Sequence, residues 1–420
     1  MSEWITRGWI GVLVLCAGVL RAWNLPQVLV ESVWYFVDGD CYSRMMRARQ
    51  VWITPAKPVH FHEFENWPDG VHSHATAPMD YLIVGFARLL SLVWPKEGAF
   101  AVLGETILDT AGALISLVLG MVLCGVAGVW AKGLEREGKR LRFWWSVPLL
   151  LAVSPAVVHA TLLARPDHQS LILCCIAVGL MLEERMLRKE GWQVSVCAGL
   201  VWGLGLWVSL FEPLVVWAMV VVIGMIQGRV RWWTKYRIVW LSIVGFVLGV
   251  AWFVEGGLGS IPEAGVRDVL IRWGSTIGEL QSVPGMWVIS QWLGWLWFVA
   301  PIGLWIVMRR DSREDRKWLW MCGIICLVLF GLTWWQMRWG VFLVAAFALL
   351  VPWILEAVTD CRIAGCAFFI SLMPMLGDWK ERYFPNPKLS EMRYLKRSER
   401  VNARLAALRM RSMEELPFLA

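Results

Sequence analysis

Charged residues are scarce in this sequence of 420 residues, making up 17% of it against about 25% in an ordinary soluble domain. Apolar and aromatic residues make up 58% of the chain. This shortage of charge argues against an ordinary cytosolic globular enzyme and predicts a protein that resides in lipid.

The sequence also lacks a disulfide framework and a CxxC zinc pair. Most of its ten cysteines lie inside apolar runs, where a buried thiol behaves as a small hydrophobic group. These are Cys16, Cys124, Cys174, Cys175, Cys197, Cys322, Cys326 and Cys366. Neither a disulfide-stapled domain nor a zinc ribbon is therefore expected.

Long apolar runs and 31 tryptophans are present instead, and tryptophan concentrates at membrane interfaces. A spanning helix needs about 20 predominantly apolar residues. The runs predict an all-α, polytopic membrane helix bundle of about eleven spans. They cover residues 7–24, 106–131, 144–163, 169–183, 192–209, 213–227, 238–254, 287–308, 318–335, 339–357 and 362–376. The first run lacks a small-residue cleavage site and is predicted to stay as an uncleaved helix.

Basic residues mark alternate loops of this bundle, as they do on the cytoplasmic side of membrane proteins. The basic loops cover residues 132–142, 185–189, 229–237 and 309–317. The loops between them, and a long first loop over residues 25–105, are predicted to face outward. Topology thus explains the net charge of +7, and no nucleic-acid partner is expected.

Residues 77–94 are apolar enough to span, but a span here would place the basic loop at 132–142 outside. We therefore predict a helix that lies in, or re-enters, the outer face and is amphipathic through Asp80 and Arg88. The alternative is a true span that breaks the charge rule.

Polar residues of the types that take part in catalysis or ligand binding lie on the predicted outer face. Asp38 and Asp40 follow the first span, where they either pair with nearby arginines or bind a hard cation such as Mg²⁺ or Mn²⁺. Further along the loop, His72 and His74 form an HxH pair that either binds a transition metal or is solvated, and His74 is a possible pocket residue.

A second polar group, Arg165, Asp167, His168 and Gln169, lies between two apolar segments. A carboxylate and an imidazole near a membrane are costly unless paired, and there they indicate function more often than in soluble loops. Arg165 either neutralises Asp167 or holds a phosphate.

Three separate residues complete the outer set. Glu279 lies in the loop after the seventh span, and Glu212 is either a pocket wall or a helix-end cap. Arg338 either snorkels to lipid headgroups or clamps a lipid-linked phosphate. Carboxylates that hold a divalent cation, with an added arginine, stabilise the negative charge of a departing phosphate.

Three motifs in order resemble the GT-C superfamily of integral-membrane glycosyltransferases, and within it the catalytic subunit of oligosaccharyltransferase. They are the acidic motif Asp38-Gly39-Asp40-Cys41-Tyr42, the second acidic motif Asp167-His168-Gln169 and the TIxE motif Thr276-Ile277-Gly278-Glu279. Gln169 departs from the family pattern, because it stands where a second metal ligand is expected. The family's WWDYG domain is also not found in residues 377–420.

The resemblance implies that Asp40, Asp167 and Glu279 are catalytic and, with His168, bind Mg²⁺ or Mn²⁺. It assigns the donor phosphate to Arg338, with Arg165 as a second candidate. It further implies a polyprenyl-phosphate or diphosphate sugar donor, contact with membrane lipids and an acceptor that is a protein, a lipid or a glycan. The expected location is a bacterial inner membrane, with the active site facing the periplasm.

Two domains are predicted, a catalytic membrane domain over residues 1–376 and a short basic tail over residues 377–420. A transporter or flippase of a lipid-linked or anionic solute and a catalytically inactive relative remain alternatives. Transporters commonly contain internal repeats, whereas this sequence shows none and collects its polar residues on one face.

Overall fold

The structure, a computed structural model, describes residues 3–55, 58–62, 68, 70–72, 76–93, 107–136, 139–189, 191–228, 233–256, 277–310 and 313–384. Most of these residues are helical. The helices are α1 (Glu3–Arg21), α2 (Leu25–Val28), α3 (Gly39–Ile53), α4 (Ala77–Val93), α5 (Ile107–Lys132), α6 (Ser146–Val153), α7 (Pro155–Ala160), α8 (His168–Arg188), α9 (Trp192–Val208), α10 (Phe211–Gly228), α11 (Lys235–Glu255), α12 (Met286–Leu293), α13 (Leu296–Arg310), α14 (Arg313–Trp335), α15 (Gly340–Glu356), α16 (Cys361–Ser371) and α17 (Met373–Tyr383).

Strands occur only as two-residue antiparallel pairs within the described ranges. They are β1 (Leu29–Val30) with β2 (Val33–Trp34), β3 (Phe61–His62) with β4 (Val71–His72), and β5 (Glu135–Arg136) with β6 (Lys139–Arg140). Two 3-10 turns are also found in the described part of the chain, Gly278–Leu280 and Met337–Trp339, and both lie between helices. The chain forms two compact units, Met1–Met375 and Leu376–Ala420. The functional division into a catalytic domain and a tail stays a prediction.

Five helical stretches are long and apolar enough to cross a membrane, or six if the bent pair α12 and α13 counts as one span. They are Ile107–Lys132, Lys235–Glu255, Asp315–Trp335, Met337–Glu356 and Cys361–Tyr383, as judged over the described residues. The prediction of an all-α polytopic membrane fold is confirmed. The count of about eleven spans stays a prediction.

Two of the predicted spans are interrupted by a residue with a non-helical backbone conformation. The run over 144–163 divides into α6 and α7 at Ser154, whose ψ of 122° is extended. Pro155 follows it, and a proline disfavours the helical conformation in the residue before it. The run over 287–308 bends by 66° between α12 and α13, where Gly294 has a φ of 74°. Only glycine adopts such a left-handed conformation without strain.

Residues 77–94 form α4 as predicted, but the amphipathic role given to Asp80 is wrong. Asp80 is fully buried and bridges two arginines of α3, with Arg44 at 2.8 Å and Arg47 at 2.7 Å. A buried carboxylate needs such partners, because its desolvation is otherwise too costly. Arg88 lies over the ring of Trp52, 5.9 Å from its centroid. These contacts fix α4 against α3.

The core of the bundle runs along α15, in which every residue from Gly340 to Leu355 is buried. The helices α6, α7, α8, α13 and α14 pack against it. Trp339 and Trp353 are among the largest fully buried side chains. α15 is therefore surrounded by protein, as a central helix of a bundle should be.

Arg21, at the end of α1, is fully buried and ties three segments together. Its guanidinium donates from Nε to Thr161 Oγ1 at 2.7 Å and from Nη2 to the carbonyl oxygen of Leu151 at 3.1 Å. Its own carbonyl oxygen accepts from the Leu163 amide at 3.0 Å, and Asn24 Nδ2 donates to the Leu163 carbonyl at 3.0 Å. The segment that leads into α8 is thereby anchored on α1 and α6.

This packing leaves no room for a side chain at Gly120. A Cβ atom there would clash with the Arg21 side chain and with Thr161. We expect Gly120→Ala to lower stability by about 1–3 kcal/mol, the usual cost of overpacking a core. Gly245→Ala is the matched control, because nothing lies within 4 Å of its Cβ position. Equal thermal midpoints for the two purified variants would contradict the expected clash.

Candidate active site

Carboxylates from three segments gather around one guanidinium group, that of Arg165. Asp38 precedes α3, Asp167 precedes α8, and Glu279 lies in the 3-10 turn Gly278–Leu280. Asp40, in the first turn of α3, lies close enough to these three carboxylates to interact with their charges. Their positions in the sequence are far apart. We call these five residues the Arg165 cluster.

Helix starts position two of these acids. Asp38 is the N-cap of α3 and accepts from the Cys41 amide at 3.0 Å, and Asp167 is the N-cap of α8 and accepts from the Gln169 amide at 3.5 Å. Free amide groups and the helix dipole both favour a carboxylate at this position. Local folding thus brings negative charge to both helix starts.

The turn before α8 has a strained backbone that its neighbours hold in place. Ala164 has a φ of 58°, which costs a residue with a Cβ roughly 1–2 kcal/mol. Its amide donates to the Ala113 carbonyl at 2.8 Å, and its carbonyl accepts from the Val37 amide at 3.1 Å. Ser116 Oγ donates to the carbonyl oxygen of Arg165. These contacts with α5 and the segment before α3 hold Arg165 in a defined place.

The Arg165 side chain is 4% exposed and faces three carboxylates. Its Nη2 atom lies 2.7 Å from Glu279 Oε1, 3.7 Å from Asp167 Oδ2 and 4.0 Å from Asp38 Oδ2. Its Nη1 atom lies 2.7 Å from His159 Nδ1. Burial acts to lower the pKa of Arg165, but the charges of Asp167, Glu279 and Asp38 raise it above its ordinary value. Arg165 therefore remains a cation.

Two carboxyl groups of the cluster have opposite pKa shifts. Burial acts to raise the pKa of Asp167, but the charge and hydrogen bond of His168, 2.6 Å away, and the charge of Arg165 bring it below its usual range. Desolvation raises the pKa of Asp40, and the charges of Asp38 and Asp167 raise it further. Asp167 is thus held ionised, while Asp40 is better suited to take up a proton.

Gln169 completes the contacts of Glu279. Its Nε2 atom donates to Glu279 Oε2 at 2.6 Å, while Arg165 donates to Oε1. Both carboxylate oxygens of Glu279 are therefore bound by residues of the turn and helix that carry Asp167. On sequence grounds Gln169 is also a possible pocket residue, and that role stays a prediction.

Arg338 forms an ion pair with Glu212, which is 1% exposed. Glu212 Oε2 accepts from Ser209 Oγ at 2.8 Å. The Met337 amide donates to the Gln281 carbonyl at 2.8 Å, which ties the turn of Arg338 to the turn of Glu279. Arg338 is also close enough to Asp167 to interact with its charge. This second pair adjoins the Arg165 cluster.

The structure therefore brings together most of the residues singled out from the sequence, while their catalytic and binding roles stay predictions. Those that meet are Asp40, Arg165, Asp167, His168, Gln169 and Glu279, with the Arg338–Glu212 pair beside them. His74 and Thr276 lie outside the described residues. Sequence reasoning missed His159, whose only signal was an imidazole in an apolar run.

The donor set fits a hard divalent cation in chemical type, because carboxylate oxygens are the ligands that Mg²⁺ and Mn²⁺ prefer. Asp38, Asp167 and Glu279 already share one cationic neighbour within 4.0 Å. Over the ranges that the structure describes, no group of three or more His, Cys, Asp or Glu side chains has a ready metal-binding arrangement. Arg165 occupies the space between the carboxylates.

No protein-family profile matches the chain, and no curated protein sequence matches it either. Solved structures nevertheless share its fold. The archaeal oligosaccharyltransferase AglB from Archaeoglobus fulgidus, in complex with an inhibitory peptide and a dolichol-phosphate, is 14% identical with a TM-score of 0.61. The match covers 92% of this chain and 57% of that one. An oligosaccharyltransferase from Archaeoglobus fulgidus in complex with Zn and sulfate is 16% identical with a TM-score of 0.59, and the match covers 90% of this chain and 54% of that one.

ArnT from Cupriavidus metallidurans, bound to undecaprenyl phosphate, is a second relative in fold. It is 15% identical with a TM-score of 0.53, and the match covers 86% of this chain and 62% of that one. The chain thus spans between 54% and 62% of the length of these proteins. The predicted resemblance to membrane glycosyltransferases is confirmed at the level of the fold.

Proposed function

We propose that the protein transfers a sugar or oligosaccharide from a polyprenyl-phosphate or diphosphate donor to an acceptor, at the outer face of a membrane. One observation carries this proposal: three carboxylates share the buried Arg165 guanidinium. A second arginine, Arg338, lies beside them. The fold in which they lie is shared with AglB and ArnT, structures of which hold dolichol-phosphate and undecaprenyl phosphate.

The reaction breaks the bond between sugar C1 and the donor phosphate oxygen, and the electron pair leaves with the phosphate. The acceptor's oxygen or nitrogen bonds to C1 and loses its proton. In the metal-free site, Asp40 is the carboxylate best suited to receive that proton, because desolvation and the neighbouring carboxylates raise its pKa. Arg338 stabilises the charge that grows on the departing phosphate.

Asp167 and Glu279 act by orientation and charge. Arg165 holds both, and Gln169 fixes the second oxygen of Glu279. When bound, Mg²⁺ or Mn²⁺ would be held by Asp40, Asp167 and Glu279, with His168 alongside, and would supply Lewis-acid stabilisation of the leaving phosphate. The acceptor class, the metal and a periplasmic site in a bacterial inner membrane belong to this proposal.

Reconstitution in proteoliposomes tests the proposal. The probes are undecaprenyl-phosphate and dolichol-phosphate carrying radiolabelled sugars, offered with an Asn-Val-Thr peptide, a lipid and a glycan as acceptors. We expect transfer of label to one acceptor class, and a roughly 10²–10³-fold lower rate for Glu279→Gln, the usual effect of removing one electrostatic group from an active site.

Glu356→Gln is the control for Glu279→Gln. Glu356 pairs with Arg142, whose side chain is 49% exposed, and neither belongs to the Arg165 cluster. This variant should transfer sugar at the wild-type rate. An unchanged rate in Glu279→Gln, or no transfer by the wild-type protein to any acceptor class, would overturn the proposal.

A further inference from the structure

Glu212 has a carboxylate that is buried and fully engaged. Glu212 is 1% exposed and lies in the first turn of α10. One carboxylate oxygen accepts a hydrogen bond from Arg338 Nη2, and the other accepts one from Ser209 Oγ at 2.8 Å. A carboxylate in the first turn of a helix is further stabilised by the free amides. Glu212 is therefore a fixed anchor, which the sequence left as a pocket wall or a cap.

Arg338 meets this anchor through one corner of its guanidinium. Nη2 contacts Glu212, while the buried Nε atom has no hydrogen-bond partner among the described residues. The ring of Phe211 lies 5.8 Å from Arg338 Cζ. A guanidinium presents several donors in a rigid fork, and a buried donor without a partner is costly. The unused donor indicates a place for an incoming acceptor of hydrogen bonds.

The position of that donor suits an anion. The turn of Arg338 is joined to the turn of Glu279 by the hydrogen bond from the Met337 amide to the Gln281 carbonyl. Arg338 is also close enough to Asp167 to interact with its charge. An anionic group bound at Arg338 therefore lies next to the Arg165 cluster, where the proposed reaction releases a phosphate.

We propose that Glu212 is a positioning residue: it holds Arg338 by Nη2 so that the remaining edge of the guanidinium, which includes Nε, binds the phosphate of the lipid-linked donor. This inference rests on the proposed function. Because Glu212 acts only through Arg338, its loss should weaken donor binding, lower the rate of the step in which the phosphate departs, and leave the acceptor site intact.

The test compares Glu212→Gln, Arg338→Ala and the double variant in proteoliposomes. We expect Glu212→Gln to lower kcat/KM for the lipid-linked donor about tenfold, the usual effect of losing one charge-assisted hydrogen bond, with the acceptor KM unchanged. Glu212→Asp should recover part of the loss. The double variant should be no worse than Arg338→Ala, because residues that act through one group are not additive.

Binding of undecaprenyl phosphate is measured as the rise in thermal midpoint that it causes in the detergent-solubilised protein. This measurement separates the positioning role of Glu212 from the proposed function. Glu356→Gln is again the control and should bind as the wild type does. If the wild type and Arg338→Ala differ but Glu212→Gln binds normally, the positioning role is wrong and the proposed function stands. If the wild type binds no undecaprenyl phosphate and transfers no sugar, the proposed function itself fails.

Discussion

Arg165→Ala is expected to reduce sugar transfer by roughly 10²–10³-fold and to lower stability by about 2 kcal/mol or more. The guanidinium is buried, and its removal leaves Asp167 and Glu279 without their shared cation. The expected loss of stability is small for a buried guanidinium, because the side chains of Asp38 and Glu279 are 39% and 35% exposed and solvent screens their charges. Transfer rates in proteoliposomes and thermal midpoints in detergent measure the two effects.

Arg165→Lys and Arg142→Ala are the comparisons for this result. Lysine keeps the charge but loses the planar fork, so we expect Arg165→Lys to recover stability more than activity. Arg142 forms an exposed ion pair with Glu356, and its loss should cost no more than about 1 kcal/mol. Wild-type transfer by Arg165→Ala would show that Arg165 is not the centre of the site.

Asp167→Asn is expected to lower transfer by a similar roughly 10²–10³-fold, because the amide cannot supply the negative charge that faces Arg165 and His168. The side chain keeps its size and can still accept at the N-cap of α8, so the helix start should survive. The variant thus separates the loss of charge from the loss of fold.

The stability of this variant should also depend on pH in a defined direction. The folded pKa of Asp167 is lowered, so its ionised form contributes stability above the unfolded pKa of about 3.9 and loses it as pH falls below that value. The wild type should therefore be more stable than Asp167→Asn at about pH 7, and the difference should shrink toward pH 3. Thermal midpoints across this range give the result, and a constant difference would contradict the ion-pair account.

Much of the site could be predicted from loop parity, that is, from the alternation of basic and non-basic loops along the sequence. Alternating basic loops place Asp40, Asp167 and Glu279 on one face, although long stretches of chain separate them. The structure then brings these residues into one cluster. Parity determines the side of a residue but gives no distance, so the sequence alone did not show that Arg165 lies among the carboxylates.

Most of the contacts that could not be predicted from the sequence are buried ion pairs. Asp80 has the spacing of a polar-face residue on α4, but its partners Arg44 and Arg47 lie on α3, and only tertiary packing brings them together. Arg338 likewise looked isolated, since Glu212 is 126 positions away. The helix breaks at Ser154 and Gly294 are local, yet apolar composition hides them, because hydropathy does not register backbone conformation.

The fate of the donor lipid tests the central claim most directly. Proteoliposomes that contain undecaprenyl-phosphate sugar and an acceptor are extracted, and the lipids are analysed by mass spectrometry. We predict that sugar-free undecaprenyl phosphate accumulates with the wild-type protein and not with Asp167→Asn or Arg165→Ala. Intact donor that crosses between leaflets without cleavage would contradict the claim and indicate a transporter.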